Sequence, residues 1–196
     1  MKKVIWVAAQ WDYCAYMLIM NFFIIRKLTF TLAAISMSLF GINLNATPLA
    51  IGADAPAIIV LDQNAASVDL GAKLATGTTL VYFYPKADTG GCTAQACSLR
   101  DGIEDLKALG VDVIGVSKDT PAAQKKFADK YNLPFTLIAD DDGKVIKAFG
   151  VPTIVAGISA RQSFLVRDGK IIWHSAKAGT KNHAEEVEAA IATLGS

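Results

Sequence analysis

The chain has 196 residues, 53% of them hydrophobic and 19% charged, with three cysteines and a formal net charge of +1. Four of the 19 Lys/Arg and one of the 18 Asp/Glu fall in residues 1–46, which leaves 15 against 17 in residues 47–196, a slightly acidic balance. That balance speaks against a basic nucleic-acid-binding surface, and the composition excludes collagen-like, disordered and disulfide-dense classes.

Arg26 and Lys27 precede the uncharged run Leu28–Phe40 and a polar exit that ends at Ala46. A basic flank, a short apolar segment and a small residue make up a secretory signal peptide. The run has 13 residues, short of the ~20 a spanning helix needs, so cleavage after Ala46 is expected and no stable membrane anchor remains. Residues 1–19 add a second apolar run interrupted by Asp12, and a start at Met17 or Met20 would give a leader of ordinary length. Cys14 belongs to this segment, which leaves Cys92 and Cys97 in the mature domain, residues 47–196. The expected location is outside the cytoplasm, in a bacterial periplasm.

Ala57–Leu61 and Thr78–Tyr84 are β-branched and aromatic runs that read as strands, the second apolar on both faces as a central strand requires. Residues 92–109 read as one helix, with Ala96, Leu99, Ile103 and Leu106 on a stripe and Gly110 at its end. Val111–Val116 is the next strand, Thr120-Pro121 opens a helix to about Tyr131, and Phe135–Ile138 is a strand. Asp168-Gly169 between Phe164–Val166 and Ile171–Trp173 marks a hairpin. Asn182 with Glu185 resembles a capping box before a last helix whose apolar face is Val187, Ala190, Ile191 and Leu194. The order predicts an α/β, thioredoxin-like fold with a central mixed sheet flanked by helices.

The chemistry concentrates in residues 82–97, YFYPKADTGGCTAQAC. A buried strand ends at Pro85, a short loop carries Thr89 and two glycines, and Cys92 opens a helix. A thiol there lies near unpaired N–H groups and the positive end of the helix dipole, and both favour the thiolate. Larger accelerations require donors aimed at the charge that develops on the reacting atoms, which Thr89, the Gly91/Cys92 backbone and a distant arginine could supply.

This stretch resembles the peroxiredoxins, in their Q-type or bacterioferritin-comigratory branch. The family pattern Pro-x-x-x-Thr-x-x-Cys is met by Pro85, Thr89 and Cys92, the branch's second cysteine by Cys97, and its strand-opening arginine by Arg161. The segments GVDVIGVS and FTLIADDDGKV look like this branch as well, whereas Gly90 stands where it usually has proline. The resemblance implies thiol peroxidase chemistry without a cofactor. The Cys92 thiolate would attack a hydroperoxide and become a sulfenic acid, and Cys97 would condense with it to a disulfide. A thioredoxin-like dithiol would then restore both thiols. It further implies that Thr89 hydrogen-bonds thiolate and peroxide, that Arg161 stabilises the thiolate and orients substrate, and that Pro85 shields the site from water. The branch is often monomeric, so a monomer is expected.

Other readings compete. Two cysteines in an exported domain commonly form a structural disulfide, but the position of Cys92 after Pro85 and Thr89 points to chemistry. A zinc site would have to come from Cys92, Cys97, His174 and His183, whose spacing matches no common ligand pattern. His174 reads as a strand residue and His183 as a surface residue in the first turn of a helix. Asp140-Asp141-Asp142-Gly143 fails as a calcium loop, because the glycine register puts Phe149 at the bidentate position, and reads as a solvated turn. An exported thiol–disulfide oxidoreductase would normally carry C-x-x-C, which this chain lacks. A non-enzymatic redox sensor would react with peroxide once and stop.

Overall fold

The computed structural model describes residues 46–154 and 157–195, so the expected leader up to residue 45, with Cys14, Met17 and Met20, lies outside the described residues. The elements run β1 (Ile59–Asp62), β2 (Ser67–Asp69), α1 (Leu70–Leu74), β3 (Thr78–Phe83), α2 (Gly90–Asp101), α3 (Ile103–Ala108) and β4 (Val111–Ser117). They continue with α4 (Pro121–Tyr131), β5 (Thr136–Ala139), α5 (Lys144–Ala148), β6 (Gln162–Arg167), β7 (Lys170–Ser175) and α6 (His183–Leu194). The strands form one seven-stranded sheet in the order β2-β1-β5-β4-β3-β6-β7. Strands β3, β4 and β5 are parallel neighbours joined through helices, and β6 and β7 add antiparallel on the other side of β3. This is the expected thioredoxin-like arrangement.

The two faces of β3 explain why it sits in the interior of the sheet. Leu80 and Tyr82 enter one core with Cys92, Ala96, Leu99, Leu106, Phe127 and Val187, from α2, α3, α4 and α6. Val81 and Phe83 enter the other with Leu70, Leu74, Val145 and Phe149, from α1, α5 and the residue after α5. A strand buried on both faces has to be apolar throughout, and residues 80–84 are. The hairpin turn is as expected: Asp168 and Gly169 both have positive φ, 49° and 78°, which suits the twist of β6 and β7.

The structure departs from the sequence reading in several places. The helix expected over 92–109 begins at Gly90 and is broken at Gly102, φ −90° and ψ 10°. A Cβ on Gly102 would lie 2.6 Å from that of Ala184, so α6 crosses directly over the glycine, which is also a poor helix former. The capping box does not form: Asn182 caps with no side-chain bond. Instead the Glu186 carboxylate accepts from the Ser175 hydroxyl and the Gly179 N–H, both at 2.7 Å. Asp141 and Asp142 are exposed, but Asp140 is not part of a solvated turn. It is 1% exposed and accepts from the N–H groups of Val145 and Ile146, which fixes the start of α5.

Candidate active site

The chain reaches the site still tied to the sheet. The Tyr84 N–H donates to the Val116 carbonyl at 3.1 Å, and its own carbonyl accepts from the Ser159 hydroxyl at 2.9 Å. Pro85, half-buried, then turns the chain into a loop held by side chains from the β4–α4 connection and from α4. The Ala87 N–H donates to the Asp119 carboxylate at 2.7 Å. Asp88 adopts φ 56°, and its carboxylate accepts from Lys130 at 2.8 Å and from the Tyr131 hydroxyl at 2.7 Å. The Lys130 hydrogen bond, then that of Tyr131, holds the Asp88 carboxyl below its ordinary range.

Thr89 is the N-cap of α2, in extended conformation and exposed. Its hydroxyl donates to the Lys86 carbonyl at 2.9 Å, so its proton closes the loop. Pairing with the Cys92 sulfur, as the resemblance implies, would require that hydroxyl to rotate.

Cys92 is the third residue of α2, in the turn whose N–H groups have no intrahelical acceptor. It is 2% exposed, on the buried stripe with Ala96 and Leu99. Arg161, in the connection just before β6, reaches across to it: Nη2 donates to Cys92 Sγ at 3.3 Å. Its Nη1 donates to Oε1 of Gln95. Cys92 and Gln95 are three residues apart on a helix and share a face, so one guanidinium spans both. Gly91 makes room for it, since a Cβ there would lie 3.3 Å from Arg161 Nη2 and 3.9 Å from Thr180 Cγ2.

Cys97 is half-buried on the same helix, and both Cys92 and Cys97 are free thiols. Five residues of helical rise and radius separate their Cα atoms by ~8.6 Å.

His183 corrects the sequence reading. It is not a surface residue: it is 0% exposed, with Nδ1 3.0 Å from Gln95 Nε2 and Nε2 3.0 Å from Ser163 Oγ. The fold buries it because α6 turns its first residue towards β6. Burial lowers its pKa from 6.5 to about 4, so the ring is neutral at neutral pH. Gln95 was also not anticipated, though its i+3 spacing from Cys92 is visible in the sequence. His174 is a strand residue as expected, its Nε2 3.0 Å from Gln162 Oε1. Among the described residues no three His, Cys, Asp or Glu side chains are grouped to hold a metal ion.

Behind the thiol lie two tyrosines, Tyr82 and Tyr84, stacked at 5.4 Å. Burial, the largest cause, raises both phenol pKa values, which keeps the wall neutral. Tyr84 donates to Gln124 Oε1, whereas the Tyr82 hydroxyl has no hydrogen-bond partner.

Residues 51–175 match the model of the AhpC/TSA family. The chain is 43% identical over 148 residues to peroxiredoxin Bcp of Escherichia coli strain K12, covering 71% of this chain and 94% of that protein. It is 41% identical over 122 residues to chloroplastic peroxiredoxin Q of Oryza sativa subsp. japonica, covering 62% of this chain and 56% of that one. The chain thus spans about half the length of the plant relatives it matches. Among solved structures, peroxidoxin BcpB of Mycobacterium tuberculosis is similar with a TM-score of 0.68 and 28% identity, over 74% of this chain and 97% of that one. Peroxiredoxin Q of Xanthomonas campestris, 23% identical over 78% of this chain and all of that one, shares the fold with a TM-score of 0.68. A buried helix-start cysteine under an arginine, on a thioredoxin-like sheet, is therefore set in a chain that belongs to the AhpC/TSA family, in its peroxiredoxin Q/Bcp branch.

Proposed function

We propose that this chain is a thiol-dependent peroxidase in which Cys92 is the peroxidatic residue and Cys97 the resolving one. The observation that carries the reading is the Arg161 guanidinium 3.3 Å from Cys92 Sγ in the first turn of α2. Positive charge and unpaired N–H groups converge on one sulfur, which suits an attacking thiolate and a substrate that gathers negative charge. The thiolate attacks the terminal oxygen of a hydroperoxide, the O–O bond breaks, and the departing oxygen takes a proton and leaves as water or an alcohol. Cys92 becomes a sulfenic acid, and the Cys97 thiol displaces its hydroxyl as water to form a Cys92–Cys97 disulfide. Two exchanges with a thioredoxin-like dithiol reduce that disulfide and oxidise the partner. Arg161 and Thr89 orient the peroxide, and Pro85 limits water at the sulfur. The bacterioferritin comigratory protein of Xanthomonas campestris, a neighbour in fold, is described by its alkyl peroxide reduction activity. Organic hydroperoxides therefore stand beside hydrogen peroxide as proposed substrates.

The domain is proposed to act after export, its leader removed behind Ala46. In support, Thr47 is itself packed into the domain: its carbonyl lies so close to Gly150 that a Cβ there would be 1.9 Å away. N-terminal sequencing of exported protein should start at Thr47, and retention of residues 28–40 would refute cleavage.

Peroxide consumption with a dithiol reductant tests the chemistry. Cys92→Ser should abolish turnover, because an unactivated hydroxyl cannot replace the thiolate. Cys97→Ser should keep the first-step rate, lose ordinary resolution, and accumulate sulfenic then sulfinic acid under excess peroxide. Loss of the first step in both variants would overturn the division of roles.

A further inference from the structure

The group that orients Arg161 is itself oriented from behind. A guanidinium only donates, so the oxygen of the Gln95 amide must face Arg161 Nη1, and the amide nitrogen must face His183. That nitrogen also donates, so His183 Nδ1 has to be the bare, accepting nitrogen of a neutral ring. The proton then lies on Nε2, 3.0 Å from Ser163 Oγ, which accepts it. The polarity of every link, from β6 through α6 and α2 to the arginine over the sulfur, follows from the one group that cannot accept. Tyr82 adds a steric restraint, its ring edge-on to the imidazole at 6.0 Å between centroids.

We propose that His183 is a positioning residue of the peroxide reaction: as an Nδ1 acceptor it locks the Gln95 amide, and the locked amide holds Arg161 on Cys92 Sγ. The inference rests on the peroxidase reading and adds to it a residue that touches neither sulfur nor substrate. Gln95 is 0% exposed, so without an acceptor at Nδ1 its amide N–H would be buried and unpaired. The amide would then swing or flip, and a flipped amide presents N–H to Arg161, donor against donor. Arg161 would leave the sulfur although Cys92, Gln95 and Arg161 were all intact.

Two substitutions separate this role from a packing role. In His183→Asn the amide oxygen stands as many bonds from the backbone as Nδ1 and can accept from Gln95. In His183→Gln the side chain reaches towards Ser163 but offers nothing at the δ position. The second-order rate of Cys92 with hydrogen peroxide should fall roughly tenfold to a hundredfold in His183→Gln, the range expected for a misplaced orienting group. It should recover to within about threefold of wild type in His183→Asn. Thermal unfolding of the reduced proteins verifies that both variants are folded. Nitrogen-15 spectra supply a readout that needs no peroxide. Wild type should show a bare Nδ1 on His183, and its slowly exchanging Arg161 guanidinium protons should be lost in His183→Gln and kept in His183→Asn. An unchanged peroxide rate in folded His183→Gln, or an Arg161 signal lost equally in both variants, would overturn the inference. A wild-type protein that does not react with peroxide would sink the peroxidase reading, while the Arg161 signals would still decide this one.

Discussion

Arg161 donates to the Cys92 sulfur, and its position depends on what its neighbours lack. Gly91 carries no side chain, which lets Nη2 lie over the helix start, where a Cβ would already be within 3.3 Å. Gly91→Ala should therefore displace the guanidinium by a few tenths of an ångström without touching the sulfur. Its first-step rate should drop roughly threefold to tenfold, because small misplacements of an orienting group are expensive. Arg161→Ala removes the donor outright and should cost roughly a hundredfold, the usual effect of deleting one charge-stabilising donor. Stopped-flow measurement of sulfenic acid formation in a Cys97→Ser background checks both. An Arg161→Ala rate equal to the parent's would mean that the 3.3 Å contact has no part in the reaction.

At the scale of elements, the proposed cycle would ask two incompatible geometries of α2. It is helical from Gly90 to Asp101 with both thiols free. Helical geometry puts the Cα atoms of Cys92 and Cys97 ~8.6 Å apart, and a disulfide tolerates about 7 Å at most. The first turns must therefore unwind for the proposed disulfide to form, and amides of about residues 93–99 should lose hydrogen-exchange protection on oxidation while β3 keeps it. Gly90 is the position at which that opening can be tested. It is the first helical residue, a Cβ there meets nothing within 4 Å, and the preceding Thr89 has φ −107° and ψ 151°, the conformation a following proline demands. Gly90→Pro should thus stabilise the reduced protein by about 0.4–1 kcal/mol, and should slow disulfide formation and increase overoxidation. Faster resolution in Gly90→Pro would refute the unwinding step. The elements most legible in the sequence were those whose own residues dictate them: β3 by its doubly apolar run, α4 by Thr120-Pro121, and the β6–β7 turn by Asp168-Gly169. Strand β2 and helices α1 and α5 are three to five residues long and leave no period to read. The break at Gly102 depends on Ala184, and the contact of Arg161 with Cys92 spans 69 positions. Only the family pattern singled out that arginine. His183 was readable in principle, since it continues the stripe of Val187, Ala190 and Leu194, but a histidine ahead of a charged turn looks like surface.

At the scale of the whole molecule, the core shared by α2, α3, α4 and α6 contains a neutral imidazole at its inner edge, and this makes folding stability depend on pH. His183 has a pKa of about 4 in the folded protein because burial penalises its charged form. An unfolded histidine titrates near 6.5. Between those values the unfolded chain binds a proton that the folded one excludes, so stability rises with pH across the window and is complete above about 6.5. As pH falls through it, the folded state loses up to ~3 kcal/mol from this one ring, the lowered pKa converted at ~1.4 kcal/mol per unit. His174, also lowered by burial, acts in the same direction, whereas the lowered carboxyls of Asp88 and Asp142 act below this window. Urea unfolding of reduced protein at intervals from pH 7 to pH 4.5 measures the sum, and His183→Asn isolates the ring. The variant should be less stable at pH 7 and should lose much less stability on acidification, so the two curves converge towards pH 4.5. Parallel curves over that range would mean that His183 takes up its proton in the folded protein as readily as in the unfolded chain, and that the Gln95–His183–Ser163 chain does not require a neutral ring.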